Sequence, residues 1–187
     1  MYDDPLRILR GVRLRGALGW EVAPETERLM RVWAPSLRRV SPERVRDELA
    51  QILVLDGAAA GLAYAHGLGA LAPALPAFPG AALDGGIAVV EGLERLDAGR
   101  DSGGVLEGDL ARRLHAYRQE ELSGGRSREV ALRLAALFYE GGDMAGAAAE
   151  GLHLSAREAR LVAGAVDAAH ALQGGDVAQP PSRLDVY

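Results

Sequence analysis

The sequence contains no cysteine, no lysine and no asparagine, and only 5% of it is aromatic. Without cysteine, disulfides and thiolate metal sites are excluded. No apolar run reaches the roughly 20 residues that cross a bilayer as a helix. The first residues carry aspartates and arginines where a secretory signal has an apolar core. The expectation is a soluble cytoplasmic protein with no membrane partner. The scarcity of aromatics, set beside abundant Ala, Leu and Gly, favours helices packed through small side chains over a β-sandwich. A net charge of −5 excludes a strongly basic nucleic-acid binder, and no DNA partner is expected.

What is present is enough for a core. The 187 residues, 49% of them hydrophobic, suit one large domain or two small ones. All 21 basic residues are arginine, as a GC-rich genome would give. Arginine also suits phosphate, because its planar fork binds two oxygens at once. Residues 1–50 hold ten arginines against eight acids, so the acidity lies further on.

Read along the chain, the pattern is helical throughout. Asp4 is placed to cap a helix with Pro5 in its first turn, and Gly19 to stop it. Over residues 5–18, Ile8, Leu9, Val12 and Gly16 make one buried stripe, while Arg7, Arg10 and Arg13 lie on another face. Pro24 opens a second helix whose apolar face reads as Leu29, Val32 and Trp33. Ser41-Pro42-Glu43 opens a third, running to about residue 55, with Val45, Leu49, Ile52 and Leu53 inward. A short helix follows. Residues 73–86 are rich in Pro, Gly and Ala and read as a loop between subdomains. Helical patterns resume at 87–96, 105–121, 127–139, 143–151 and 156–172, and Ser155 with Glu158 forms a capping box. Gly103-Gly104 and Gly124-Gly125 punctuate them, and the segment from residue 174 to 187 reads as extended. No strand and no internal repeat is expected.

The opening stretch Asp3-Asp4-Pro5-Leu6-Arg7-Ile8-Leu9-Arg10, continuing to Arg13 and Leu18-Gly19-Trp20, resembles a known signature. This is the D/E-D-x-L-R-[IL]-[LM]-R-x-x-R-F-x-x-x-L-G-F motif of the class II tRNA nucleotidyltransferase and bacterial poly(A) polymerase family. Pro24-Glu25-Thr26, Ser41-Pro42-Glu43-Arg44 with Glu48, and Gly67-Leu68-Gly69 through Pro73 continue the likeness. It is closest over residues 3–55, extends to about residue 78, and fades beyond. Leu14 stands where the family has Phe, and Gly11 where Ala is usual.

The resemblance implies an all-α fold, with a neck domain at 1–78 and a helical body at 79–187. It assigns Asp4 and Arg7, with Asp3 in place of the usual Glu, to the base of an incoming nucleotide. The chemistry fits. A carboxylate accepts from the exocyclic amine of cytosine or adenine, and a guanidinium donates to ring acceptors on the same edge. Uracil and guanine present a carbonyl where the carboxylate needs a donor. Taken alone, Asp-Pro-x-Arg is equally a helix cap beside a solvated arginine. Arg10, Arg13 and Arg15 are candidates for RNA or phosphate contact, or for pairing with acids of a neighbouring domain. Arg44 and Glu48, four apart, read as an ion pair bracing the first helix.

Family relatives often carry an HD phosphohydrolase domain in the second half, marked by L-L-H-D-I-G. Here Leu137-Phe138-Tyr139-Glu140-Gly141-Gly142 stands in its place, and the four histidines are scattered. The body is therefore expected to be a degenerate HD-like one without metal ligands. The family's catalytic head motifs, Gly-Gly-x-x-Arg-Asp and a paired Asp-x-Asp, are absent from the sequence. In that family the head holds Mg²⁺ and, with CTP or ATP, adds CMP or AMP to the 3′ end of tRNA. No catalytic residue and no cofactor is expected in this chain alone, and a head domain is expected as its partner in cis or in trans. The chain then reads as a fragment, a split subunit or a remnant. The rival reading is a helical interaction or regulatory protein that kept the fold and lost nucleotide selection.

Overall fold

Asp4 starts the first helix from outside it. Its Oδ1 accepts the Leu6 N–H at 3.2 Å, and the chain winds through one turn into α1, Arg7–Leu18. Ile8, Leu9 and Val12 are buried as the apolar stripe requires, and Gly19, at φ 65°, ends the helix in the left-handed region. Gly16 is exposed rather than part of that stripe. The computed structural model describes residues 3–101 and 109–173, so Gly103-Gly104 and the segment from 174 onwards lie outside the described residues. Nine further α-helices follow among those described: α2 Pro24–Trp33, α3 Pro42–Leu53, α4 Ala58–Gly67, α5 Leu71–Ala74, α6 Leu83–Asp101, α7 Asp109–Gln119, α8 Arg128–Phe138, α9 Met144–Gly151 and α10 Ala156–Gln173. The fold is all-α.

α1 packs on α3 and α4. α3 buries Val45, Leu49, Ile52 and Leu53, the four positions its period marks, and also the charged Glu48. Ser41 sits at its N-cap with an extended backbone, but its hydroxyl makes no capping hydrogen bond. α2 departs from expectation. Leu29 and Val32 are exposed, Trp33 is half-buried, and Met30 alone is fully covered. Met30 lies against Gly11 of α1, where a Cβ would stand 3.1 Å from its Cε. The missing side chain at Gly11 thus admits the flexible Met30 and turns the helix to a different face. A 3-10 segment, Ala34–Arg39, then continues α2 and buries Ala34 and Leu37.

Residues 73–86 are not a loop. α5 ends and α6 begins inside them, and Leu71, Pro73, Ala74, Leu75, Phe78 and Leu83 are all buried. Their small residues serve close packing instead. Phe78 meets Phe138 with ring centroids 4.9 Å apart. α8 packs against α3, α6, α7, α9 and α10. A two-stranded antiparallel ribbon, β1 Glu121–Ser123 with β2 Arg126–Ser127, precedes it. Gly124 and Gly125, at φ 55° and 76°, make its turn, the geometry a two-residue hairpin demands. Strands of two and three residues are too short to show alternation, which is why no strand is expected from the sequence. The Ser155–Glu158 capping box forms, with Ser155 N–H donating to Glu158 at 2.8 Å and Glu158 N–H to Ser155 Oγ at 3.3 Å.

Candidate nucleotide cleft and RNA interface

The start of α1, the end of α2, the 3-10 segment and the start of α3 converge on a cleft of about 490 Å³. Asp3, Asp4, Pro5, Trp33, Arg39, Val40, Ser41 and Arg44 line it. Arg44 reaches across from α3 and donates from Nη2 to Asp4 Oδ2 at 2.8 Å. Asp4 therefore receives one donor on each oxygen, from Leu6 N–H and from Arg44, and each oxygen keeps acceptor capacity. Desolvation pushes its carboxyl up. The Arg44 and Leu6 hydrogen bonds and the charges of Arg44 and Arg7 outweigh that and hold it below the usual aspartate value. Arg7 acts on Asp4 through its charge only. It is exposed and stands outside the cleft walls.

Three arginines expected at the RNA interface turn inward. Arg10 Nε donates to Glu48 Oε1 at 3.2 Å and Arg13 Nε to Oε2 at 2.9 Å. The Glu48 side chain is 5% exposed, so the two guanidiniums supply the pairing a buried carboxylate requires. Arg15 lies over the Tyr64 ring, 4.5 Å from its centroid, and Tyr64 donates to Glu27 at 3.1 Å. Arg44 and Glu48 do not bond each other; each instead reaches α1 separately. Arg28, Arg31 and Arg46 pair with Glu25, Glu27 and Asp47. Of the ten arginines in residues 1–50, only Arg7, Arg38 and Arg39 have no hydrogen bond or ion pair with a described residue, and all three are exposed.

Residues 19–80 match a family described as the "Probable RNA and SrmB-binding site of polymerase A". Trp33, Arg39 and Arg44 fall inside that match, while Asp4 and Arg7 precede it. The chain is 44% identical over 79 residues to a Multifunctional CCA protein of Stenotrophomonas maltophilia (strain K279a), a stretch covering 40% of this chain and 20% of that protein. A Multifunctional CCA protein of Xanthomonas campestris pv. campestris (strain B100) is 42% identical over 79 residues, 40% of this chain and 19% of the relative. The CCA-adding enzyme of Streptococcus pneumoniae (strain CGSP14) is 38% identical over 52 residues, 28% of this chain and 13% of the relative. The chain belongs to the CCA-adding enzyme and poly(A) polymerase family. It spans about a fifth, or less, of the length of these curated relatives.

The rest of this family member holds a different kind of cluster. Arg118 donates to both oxygens of Asp97 at 2.7 Å and also to Glu129. Burial pushes the Glu129 carboxyl up, but Arg118 and Arg133 hold it below the glutamate value. Arg133 donates to Glu129 at 2.6 Å and to the Leu53 carbonyl, at the end of α3, also at 2.6 Å. Its cations and carboxylates satisfy one another, which makes it a brace. At the position of the HD motif, Tyr139 packs on His170 with ring centroids 4.5 Å apart. Among the described residues no three His, Asp or Glu side chains are grouped to hold a metal ion.

Trp33 and Arg39 were not singled out by sequence reasoning. Trp33 reads as core on its helical period, and Arg39 as one of many surface arginines. The signal available was the Ser41-Pro42 break just after them, which marks a turn where side chains converge.

Proposed function

We propose that this chain selects the incoming nucleotide and contacts RNA in a reaction that adds CMP or AMP to tRNA 3′ ends. A catalytic head domain, in cis or in trans, would supply Mg²⁺ and the transfer step. The observation that carries the reading is Asp4. Its carboxylate is fixed by Arg44 and the Leu6 N–H at the rim of a nucleotide-sized cleft, beside the region matching the family's RNA-binding site. It stays ionised near neutral pH and accepts from the amine of cytosine or adenine; Arg7, one turn away, supplies donors at the cleft mouth. Arg7, Arg38 and Arg39 are the cations free to meet RNA phosphates. The chain carries none of the head's paired carboxylates, so nucleotide incorporation is expected only when a head is joined.

Calorimetric titration with CTP, ATP and UTP tests this. CTP and ATP are expected to bind more tightly than UTP, and Asp4→Asn to reduce that preference. An amide puts a donor beside an acceptor, and a lost base-edge contact is worth about 1–3 kcal/mol, or roughly 5- to 150-fold. Asn caps helices as well as Asp, so unchanged CTP/UTP preference in a folded Asp4→Asn protein would reduce Asp4 to a cap. A second reading, a helical interaction protein without nucleotide selection, draws on the capture of Arg10 and Arg13 by Glu48. Equal, negligible binding of all three nucleotides would favour it.

A further inference from the structure

The cleft at the start of α1 has two walls that base-edge reading does not use. Trp33, at the end of α2, packs against the core and lines the cleft. Arg39, exposed in the 3-10 segment, lines the same cleft and has no hydrogen bond or ion pair with a described residue. The cleft's other guanidinium, Arg44, is committed to Asp4 at 2.8 Å. Arg39 is therefore its uncommitted cation, and the neighbouring Arg38, also exposed and unpaired, adds to the same positive field.

A nucleotide offers three surfaces: the π face of the base, its hydrogen-bonding edge, and the phosphates. Asp4 suits the edge. An indole suits the face, because stacking on aromatic side chains tolerates every base. A free guanidinium suits phosphate, whose oxygens match its planar fork. The cleft's volume of about 490 Å³ falls within the range of small-ligand pockets. A simple organic acid would use Arg39 and leave both the indole and the Asp4 acceptor idle.

We propose that Trp33 stacks on the base of a nucleoside phosphate bound in this cleft and that Arg39 holds its phosphate group. The choice of base rests on the reading of Asp4 given above; stacking and phosphate binding do not. The chain has two tryptophans, and Trp20 is 68% exposed, so Trp20→Phe leaves Trp33 as the only indole reporter. In that full-length protein CTP is expected to quench Trp33 emission saturably, and cytidine to quench it at higher concentration. Arg39→Gln, at an exposed site with no partner to lose, is expected to weaken CTP about tenfold, as loss of one charge-assisted contact should, and to leave cytidine unchanged. Trp33→Leu keeps the apolar packing and is expected to lower CTP affinity, read by calorimetry, about tenfold.

A short RNA ending in cytidine, used in place of CTP, distinguishes the terminal nucleotide of RNA from a free nucleotide as the occupant. Arg39-dependent quenching by either supports the site. Equal, Arg39-dependent quenching by CTP and UTP supports it too, while removing base selection by Asp4. Calorimetric preference for CTP with silent Trp33 emission and a neutral Arg39→Gln overturns the proposal and leaves base selection standing. No heat and no quenching with any nucleotide at millimolar concentration overturns both.

Discussion

Glu48 shows how little a single side chain's environment follows from its neighbours in sequence. Its carboxylate is 5% exposed and accepts from two arginines 38 and 35 positions earlier. Glu48→Gln removes the charge both arginines face and leaves buried polar atoms poorly matched. It is expected to cost about 2–3 kcal/mol in urea unfolding. Arg10, with a side chain 55% exposed, returns to water when its partner goes, so Arg10→Ala is expected to cost at most about 1 kcal/mol. Equal losses from the two changes would contradict this asymmetry. Local pattern reading paired Glu48 with Arg44 because four-residue spacing is all it can see. The contacts that formed instead cross between helices, and no periodicity encodes them.

At the scale of the element, glycine decides where helices meet. A Cβ on Gly86 of α6 would collide with the Leu137 carbonyl of α8, a backbone atom that cannot swing aside. Gly92 lies in the same helix and its Cβ would meet nothing within 4 Å. Gly86→Ala is expected to destabilise by about 3 kcal/mol through overpacking. Gly92→Ala is expected to stabilise by about 0.5–1 kcal/mol through backbone entropy. Thermal unfolding of the two variants checks both signs at once. Elements with strong punctuation were legible in advance: α1 from Asp4-Pro5 to Gly19, α3 after Ser41-Pro42, and α10 from its capping box. The inward face of α2 was not, because Met30 is set by the gap at Gly11 in another helix. The cleft was half legible. Asp3 and Asp4 stood out through the signature, whereas Trp33 and Arg39 enter it only because the 3-10 segment folds them back.

For the whole molecule, the outer side of α3 is tied to the chain's later helices by charge. Arg46 donates to the His153 carbonyl at 2.7 Å, Glu43 meets His153 Nδ1 at 2.7 Å, and Arg126 joins Glu158 at 2.7 Å and Asp47 at 3.3 Å. Arg126→Leu strands Glu158, whose side chain is 3% exposed, and is expected to cost about 2–4 kcal/mol. Because these ties span the fold, Trp33 fluorescence in the Trp20→Phe protein and far-UV circular dichroism should report one coincident unfolding transition; separated midpoints would show the halves unfold independently. Acid should undo the same ties. Burial pushes the Glu129 and Glu158 carboxyls up, but the guanidiniums of Arg118 and Arg126 leave both below the glutamate value. A depressed folded value means the stabilisation is fully present above the unfolded value, about pH 4.3, and is lost as pH falls through the folded one. The melting temperature is expected to hold from neutrality to about pH 5 and to drop below about pH 4. A melting temperature unchanged down to pH 2 would contradict it.

The inward turn of seven of the ten arginines in residues 1–50 also fixes how this surface should respond to ionic strength. An arginine already neutralised by a carboxylate brings little net charge to a phosphate, so it displaces few condensed counter-ions from RNA. Only Arg7, Arg38 and Arg39 remain to do so. At about 0.7 per contact for a single strand, three contacts give a slope near −2 in log affinity against log salt concentration. RNA binding through this region should then persist at salt concentrations that strip a protein holding RNA with all ten.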